Sequence, residues 1–303
     1  MTFTSPLSLR LKPALPLLLI PIVSVLAGCS GDRISALSNS DSKDNTTTTV
    51  DQTGSLLSAF YGLDDAIPFL ASYRICGSFG HKDGMPVIFS EEVDISTLQA
   101  GDLLVTLADG QTVTPGCVTP APAEDPGEFR TILTIGDFGS INNQPVMVEV
   151  VGHVLSLDQE LNFKGSRVAV TPLEDGPTLI HAELVDEAQW NLGGEATSLS
   201  FGGGNGCPSG TRQVIRVVWT GGVTKPGGDE VDATERDAYQ INVANPDGSL
   251  SVITPFAIAD LGDGDNNHEL CLDQTTQPVS VEFPEGLMTD PREDLNPQTS
   301  VAL

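Results

Sequence analysis

The chain has 303 residues, with 14 Lys and Arg against 41 Asp and Glu and a formal net charge of −27. Such an acid excess repels nucleic acid and anionic lipid surfaces, so neither is reached as a partner through charge. Gly 31, Pro 21 and 39% hydrophobic residues suit a turn-rich, all-β protein of two ordinary domains better than a helical one.

At the N-terminus, Arg10 and Lys12 precede an apolar stretch, Pro13 to Gly28, that is too short and too interrupted by proline to span a membrane comfortably. Residues 1–28 therefore read as an export signal. The stretch closes on Leu26, Ala27, Gly28 and Cys29, and this end resembles the lipobox of bacterial lipoproteins. The resemblance implies that the Cys29 thiol takes a diacylglycerol and that the chain is cut just before it. Acyl chains then anchor a soluble body to the membrane without a transmembrane helix. Ser30 stands where Asp would favour inner-membrane retention, so the same resemblance implies the bacterial outer membrane, facing the periplasm or the surface. The signal carries two bases and no acid, so its removal takes the net charge from −27 to −29. Residues 29–54 are rich in Ser, Thr, Asn and Asp and bury too little apolar surface to offset ordering entropy. They are expected to form a flexible, disordered tether.

Apart from Cys29, four cysteines remain, Cys76, Cys117, Cys207 and Cys271. An even number in an oxidising compartment predicts two disulfides. Of the three connectivities, Cys76 with Cys117 and Cys207 with Cys271 keeps each bridge inside one predicted domain. Loops of a few tens of residues closed this way each stabilise by about 4 kcal/mol on the chain-entropy account. A zinc site is the alternative reading, but the chain has no C-x-x-C pair.

From residue 55 the pattern predicts a lead-in, helical or extended, packed through Phe60, Leu63, Ile67 and Phe69, followed by short alternating strands between Gly, Pro, Asp and Asn clusters. Within them Met85 to Val113 runs MPVIFSEEVDISTLQAGDLLVTLADGQTV. This segment resembles the bacterial Ig-like domains of surface proteins, in which an F-S-E-x-V-D strand end leads through S-T-L to a second strand. The resemblance implies an Ig-like sandwich over 55–175 and no catalytic residues; the Cys76 and Cys117 pair and the loop Thr114 to Phe129 depart from it. Pro172, Gly176 and Pro177 mark a boundary. Strand signals resume beyond it, with a hairpin at Asn245 to Ser249, predicting a second β-sandwich over 176–285. Phe201 to Gly210, FGGGNGCPSG, is expected to be a mobile loop, and 286–303 a loosely ordered tail.

The chain has no G-x-S-x-G elbow, phosphate-cradling P-loop or H-E-x-x-H zinc motif. His81, His153, His181 and His268 have no second His at ligand spacing and read as structural. Trp190, Trp219 and Tyr239 are few for a sugar-binding platform, and Trp219, ending an apolar strand, reads as core. The remaining candidate is Asp260 to Asp273, DLGDGDNNHELCLD. Asp260, Asp263, Asp265, Asn267 and Glu269 could present several oxygens to a calcium ion from one turn. An EF-hand is excluded, because His268 stands where Gly is needed and no Glu closes the loop. A solvated Asp/Gly/Asn turn is the competing reading. The neighbouring run Gly227 to Asp237 could add carboxylates if the loops meet. Together these features imply a lipid-anchored cell-envelope module for binding, adhesion or structure, without catalysis, whose partners are the membrane through Cys29 and an envelope protein or glycan. A calcium-dependent extracytoplasmic hydrolase or carbohydrate-binding protein is the alternative.

Overall fold

The structure, a computed structural model, describes residues 52–67, 77, 82–196 and 203–303. The export signal, Cys29, Cys76, His81 and the greater part of the tether lie outside the described residues. The described residues from Gln52 to Leu303 belong to one compact unit, which spans both stretches expected to form separate sandwiches. Among the described residues no helix is long and apolar enough to cross a membrane.

Among the described residues the first half contributes ten strands: β1 (Gln52–Thr53), β2 (Leu56–Phe60), β3 (Asp83–Phe89), β4 (Leu103–Leu107), β5 (Thr112–Val113), β6 (Cys117–Thr119), β7 (Thr131–Gly136), β8 (Pro145–Val150), β9 (Leu161–Asn162) and β10 (Arg167–Thr171). Eight of them form one sheet in the order β5-β4-β8-β10-β2-β3-β7-β6, with β10 and β2 parallel and the other neighbours antiparallel. On β4 the alternation of Leu103, Val105 and Leu107 buries one face, as the period of a half-covered strand requires. These residues join a single cluster with Met85, Val87 and Ile132 from the far end of the strand order, so the sheet folds over on itself around one core. The lead-in is extended, as β2. The last residues of the expected tether, Gln52 and Thr53, pair with β9. The expected loop Thr114 to Phe129 contains a strand, β6, which lies along β7.

The second half contributes β11 (Leu179–Leu184), β12 (Gln213–Trp219), β13 (Gln240–Ala244), β14 (Leu250–Ile253), β15 (Ala257–Ala259), β16 (Asn267–Leu272), β17 (Pro278–Phe283) and β18 (Thr299–Ala302). They make two antiparallel four-stranded sheets, β11-β12-β16-β15 and β14-β13-β17-β18. Inward side chains of both meet in one core around Trp219, Tyr239 and Phe283, with Trp219 and Phe283 edge to face at 5.3 Å. The expected hairpin closes β13 on β14, with the Asn245 amide donating to the Ser249 carbonyl at 2.8 Å. The all-β class is what the structure shows.

The tail is a correction. Polar residues and two prolines in 286–303 suggested loose order, yet β18 pairs with β17 from Ser280↔Ala302 to Phe283↔Thr299. Asn296 is the reason it holds. Its buried side chain accepts from the amides of Leu287 and Met288 and donates to the carbonyls of Pro284 and Pro297, at 2.8 to 3.0 Å.

Every residue of β12 and β16 is buried. One face of this strand pair carries Ile215, Val217, Trp219, Leu270 and Leu272 into the core. The other face, where a sandwich ordinarily meets water, is covered by the segment that leads into β7 and by the first residue of that strand. The Asn266 side-chain amide donates to Thr131 Oγ1 at 3.1 Å, and Arg216 donates to the Pro126 carbonyl at 3.0 Å.

Candidate functional site

Strand register builds a charged row on that covered face. Glu183 on β11 stands opposite Arg216 on β12, which stands opposite Glu269 on β16. Arg216 Nη2 lies 3.1 Å from Glu269 Oε1, and Nη1 lies 3.6 Å from Glu183 Oε1. Glu183 in turn accepts from Arg130 Nη2 at 2.8 Å, while Arg130 Nη1 donates to the Ser90 carbonyl at 2.7 Å. Two arginines and two glutamates therefore alternate, each charge with a neighbour of opposite sign.

Two more loops close over this row. Asp125, Pro126, Gly127 and Glu128 form a turn, with Pro126 at its second position and Gly127 at φ +95° in its third, the arrangement of a type II turn. The Glu128 amide donates to the Asp125 carbonyl at 3.1 Å, and Glu128 Oε2 accepts the Asp125 amide at 3.0 Å. The second loop follows β15, where Asp260 adopts φ +65° and its amide donates to the Asn205 carbonyl at 2.6 Å. Gly204 fits between the loops because it has no side chain: its amide donates to Asp125 Oδ2 at 3.1 Å, and a Cβ there would stand 2.7 Å from Asp260 Oδ1. The expectation of a mobile glycine-rich loop is thus corrected for residues 203–210. They are tied to both acidic segments; residues 197–202 lie outside the described residues.

The result is a group of three carboxylates, Asp125, Glu128 and Asp260, each offering an oxygen within 4.8 Å of the others. Glu128 is 0% exposed and Asp260 6%. Glu128 Oε1 and Asp260 Oδ2 are buried without a hydrogen-bond partner. Arg216 Nε stands 3.9 Å from Glu128 Oε1, an ion contact too long for a hydrogen bond. Burial, followed by the charge of Asp260, pushes the Glu128 carboxyl well above the usual carboxylate range, and burial followed by Asp265 does the same to Asp260. Burial opposes the charge on Arg216, but Glu128, Glu269, Asp260 and Glu183 outweigh it and hold the guanidinium charged. A cleft of about 290 Å³, bordered by Asp125, Asn205, Arg216, Asp260 and Glu269, opens onto the group.

Of the five residues expected to meet on calcium, the structure brings only Asp260 into this group. Asp265 turns back on its own loop, accepting from the Asn267 backbone amide at 2.8 Å and the side-chain amide at 2.6 Å. Glu269 is the ion-pair partner of Arg216. Asp263 lies half-buried at the loop surface, its carboxyl pushed up to about 6 chiefly by burial. The five do not converge because the chain straightens into β16 at Asn267, which carries Glu269 along the strand to Arg216, while Asp265 is held by Asn267. From the neighbouring run Gly227 to Asp237, Glu230 accepts the Gly262 amide. The remainder builds a short helix, Ala233–Ala238, capped by Asp232 and Glu235. Asp125 and Glu128 were missed among the loop residues. Their signal was the Asp-Pro-Gly-Glu turn, which folds an acid at each end onto the same side.

Cys207 and Cys271 form a disulfide, the pairing expected. It sits in a small buried cluster with Val185, Val214 and Ala259 and fixes the described glycine-rich segment to β16. Cys117 is also disulfide-bonded, and its expected partner Cys76 lies outside the described residues. Trp219 is core, as read. Trp190 packs against the disulfide cluster and donates from Nε1 to the Val185 carbonyl at 2.9 Å, so the two tryptophans do not form a sugar platform.

No protein-family model matches the chain, and no curated protein matches it. Among solved structures it is similar to the N-terminal part of the bacterial S-layer protein SbsC, with 13% identity and a TM-score of 0.27 over 82% of this chain and 44% of that one. It is also similar to the S-layer protein rSbsC(31-844), with 12% identity and a TM-score of 0.27 over 77% and 42%. For domains 1-6 of surface layer protein SbsC the identity is 12% and the TM-score 0.18, over 84% of this chain and 40% of that one. The chain spans less than half the length of these proteins, and TM-scores of this size establish neither a common fold nor a common activity.

Proposed function

We propose that this chain is a lipid-anchored module of the bacterial cell envelope. It is held at the outer membrane by acyl chains on Cys29 and serves binding, adhesion or structure without catalysis, with an envelope protein or glycan as its partner. The observation that carries this reading is the buried Cys207–Cys271 disulfide, which suits an oxidising compartment and agrees with an export signal ending in Leu26-Ala27-Gly28-Cys29. The acidic, tethered body and the Ig-like resemblance of residues 85–113 support the same reading. So does the pairing on the covered face, where Arg216, Glu183 and Glu269 engage one another across a sheet rather than poising a nucleophile.

The test is to express the full chain in a bacterial host, fractionate the envelope, and determine the mass of the N-terminal peptide. The reading predicts a peptide beginning at Cys29 and carrying diacylglycerol, membrane fractionation of the wild type, and release of Cys29→Ala into the soluble fraction or its retention as uncut precursor. An unmodified mature N-terminus at another position, with the protein soluble, would remove the anchor and with it the outer-membrane assignment.

A further inference from the structure

We infer that Asp125, Glu128 and Asp260 form a binding site for a hard divalent cation, calcium, which joins the Asp125–Glu128 turn to the loop after β15. This goes beyond the anchored-module reading and stands however the anchoring test falls. Three observations carry it. The first is convergence: the three carboxylates reach within 4.8 Å of one another although they come from segments more than a hundred residues apart.

The second is the pair of unpartnered oxygens, Glu128 Oε1 and Asp260 Oδ2, on side chains more than nine-tenths buried. A buried carboxylate oxygen left without a donor is costly, and elsewhere on this face such oxygens are engaged. Asp265 accepts from Asn267, Glu269 from Arg216 and Glu183 from Arg130.

The third is charge balance. Arg130 and Arg216 match Glu183 and Glu269, which leaves Glu128 and Asp260, with Asp125 at the cleft, as a surplus of negative charge in a poorly solvated place. A divalent ion neutralises that surplus as no further arginine or lysine in the group does. Oxygen donors without thiol or imidazole select a hard cation. Calcium accepts six to eight oxygens in irregular geometry, so three carboxylates from two loops, completed by water from the cleft, suit it better than magnesium, which demands a near-ideal octahedron.

The competing account is that Glu128 and Asp260 share a proton, which would also remove charge. Calorimetric titration of the exported, disulfide-bonded protein with CaCl2 at neutral pH separates the two. The proposal predicts saturable binding of one ion and a rise in Tm of about 5 °C at a hundredfold excess over Kd, with a weaker response to MgCl2. Asp260→Asn and Glu128→Gln keep side-chain size, and each is expected to weaken calcium binding at least tenfold while the cation-free protein melts no lower than wild type. Asp263→Asn, outside the group, is expected to change Kd by less than about twofold. Absence of heat and of any Tm shift in wild type at millimolar calcium would overturn the proposal in favour of the shared proton. Binding that survives Asp260→Asn but is lost in Asp263→Asn would move the ion to the loop at 263–269. Should Asp260→Asn fail to fold, Glu128→Gln and the wild-type titration decide alone.

Discussion

A buried hydrogen-bond chain predicts how His268 couples stability to pH. Trp219 Nε1 donates to the Tyr239 hydroxyl at 2.9 Å, and that hydroxyl lies 2.8 Å from His268 Nδ1. An indole N–H can only donate, and the buried Tyr239 hydrogen would lack an acceptor unless Nδ1 took it, so Tyr239 donates to Nδ1 and the imidazole hydrogen sits on Nε2. Charging the ring would put a second donor at Nδ1 against the tyrosine hydrogen, in a site 3% exposed. Burial accordingly lowers the His268 pKa from 6.5 to about 4. Because the folded value is the depressed one, the unfolded chain binds more protons between pH 6.5 and about 4. This contribution to stability is complete above pH 6.5 and is lost as pH falls through that window. The gap corresponds to about 3 kcal/mol. Buried carboxyls such as Glu269, held above their usual range by burial, act in the opposite direction, so the wild-type curve alone does not isolate the histidine. The comparison with His268→Asn does, since the amide keeps an acceptor for Tyr239 and never titrates. Urea unfolding of both proteins from pH 7.5 down to 4 should show the wild-type advantage shrinking by about 3 kcal/mol. A difference that stays constant over that range would refute both the tautomer and the sign.

Replacing both Cys207 and Cys271 by Ser should cost about 4 kcal/mol by denaturant unfolding, with wild type in reductant falling at least as far because the Cys117 bridge opens as well; equal stability with and without the Cys207–Cys271 bridge would remove it from the account. Asn296→Ala deletes four hydrogen bonds that hold the C-terminal strand and should cost about 3 kcal/mol or more, with early loss of amide protection across Thr299–Ala302 in hydrogen exchange. Protection that survived the substitution would show β18 to be held by its pairing alone. Gly127→Ala must accommodate a Cβ at φ +95° that collides with the Arg216 guanidinium. A loss of about 2 kcal/mol is expected, and a neutral result would mean that the turn has room to shift.

How much of this was legible in the sequence depended on whether the signal was local. Alternation on Leu103–Leu107 and the Asn245–Ser249 hairpin are short-range patterns, and each had its structural counterpart, as did the Cys207–Cys271 half of the cysteine pairing. Asn296 shows where local reading stops. In sequence it is one polar residue among prolines, and its four hydrogen bonds depend on carbonyls and amides that only the folded 284–297 segment brings together. The acidic loop differs for a related reason: proximity in sequence suggested a shared ion for Asp260 to Glu269, but cross-strand register gives Glu269 to Arg216, and the fold leaves Asp260 facing a turn more than a hundred residues upstream. One sign was present and went unused. Arg216 interrupts QVIRVVW, otherwise nearly all apolar on β12, and a lone arginine inside a fully buried strand requires acids that must come from elsewhere.

The charged group follows from covering a face that sandwiches ordinarily leave wet. Alternation on β11, β12 and β16 sends Ile215, Val217 and Leu270 into the core and Glu183, Arg216 and Glu269 outward. In water such a row would contribute little, because exposed ion pairs are screened and mobile. Here Arg130, the Asp125–Glu128 turn and the Gly204 segment close over it, and Arg216 is left 3% exposed. Its partners then become obligatory, since removing one of them strands a buried charge at a cost of about 3 to 5 kcal/mol. The same closure makes Asp125, Glu128 and Asp260 unusual, for Arg130, the base that the covering layer brings, pairs with Glu183 and not with them. Whatever neutralises them also fixes the covering loops in place, so the sheet that the disulfide staples through Cys271 and the acids that meet beside it are parts of one seam.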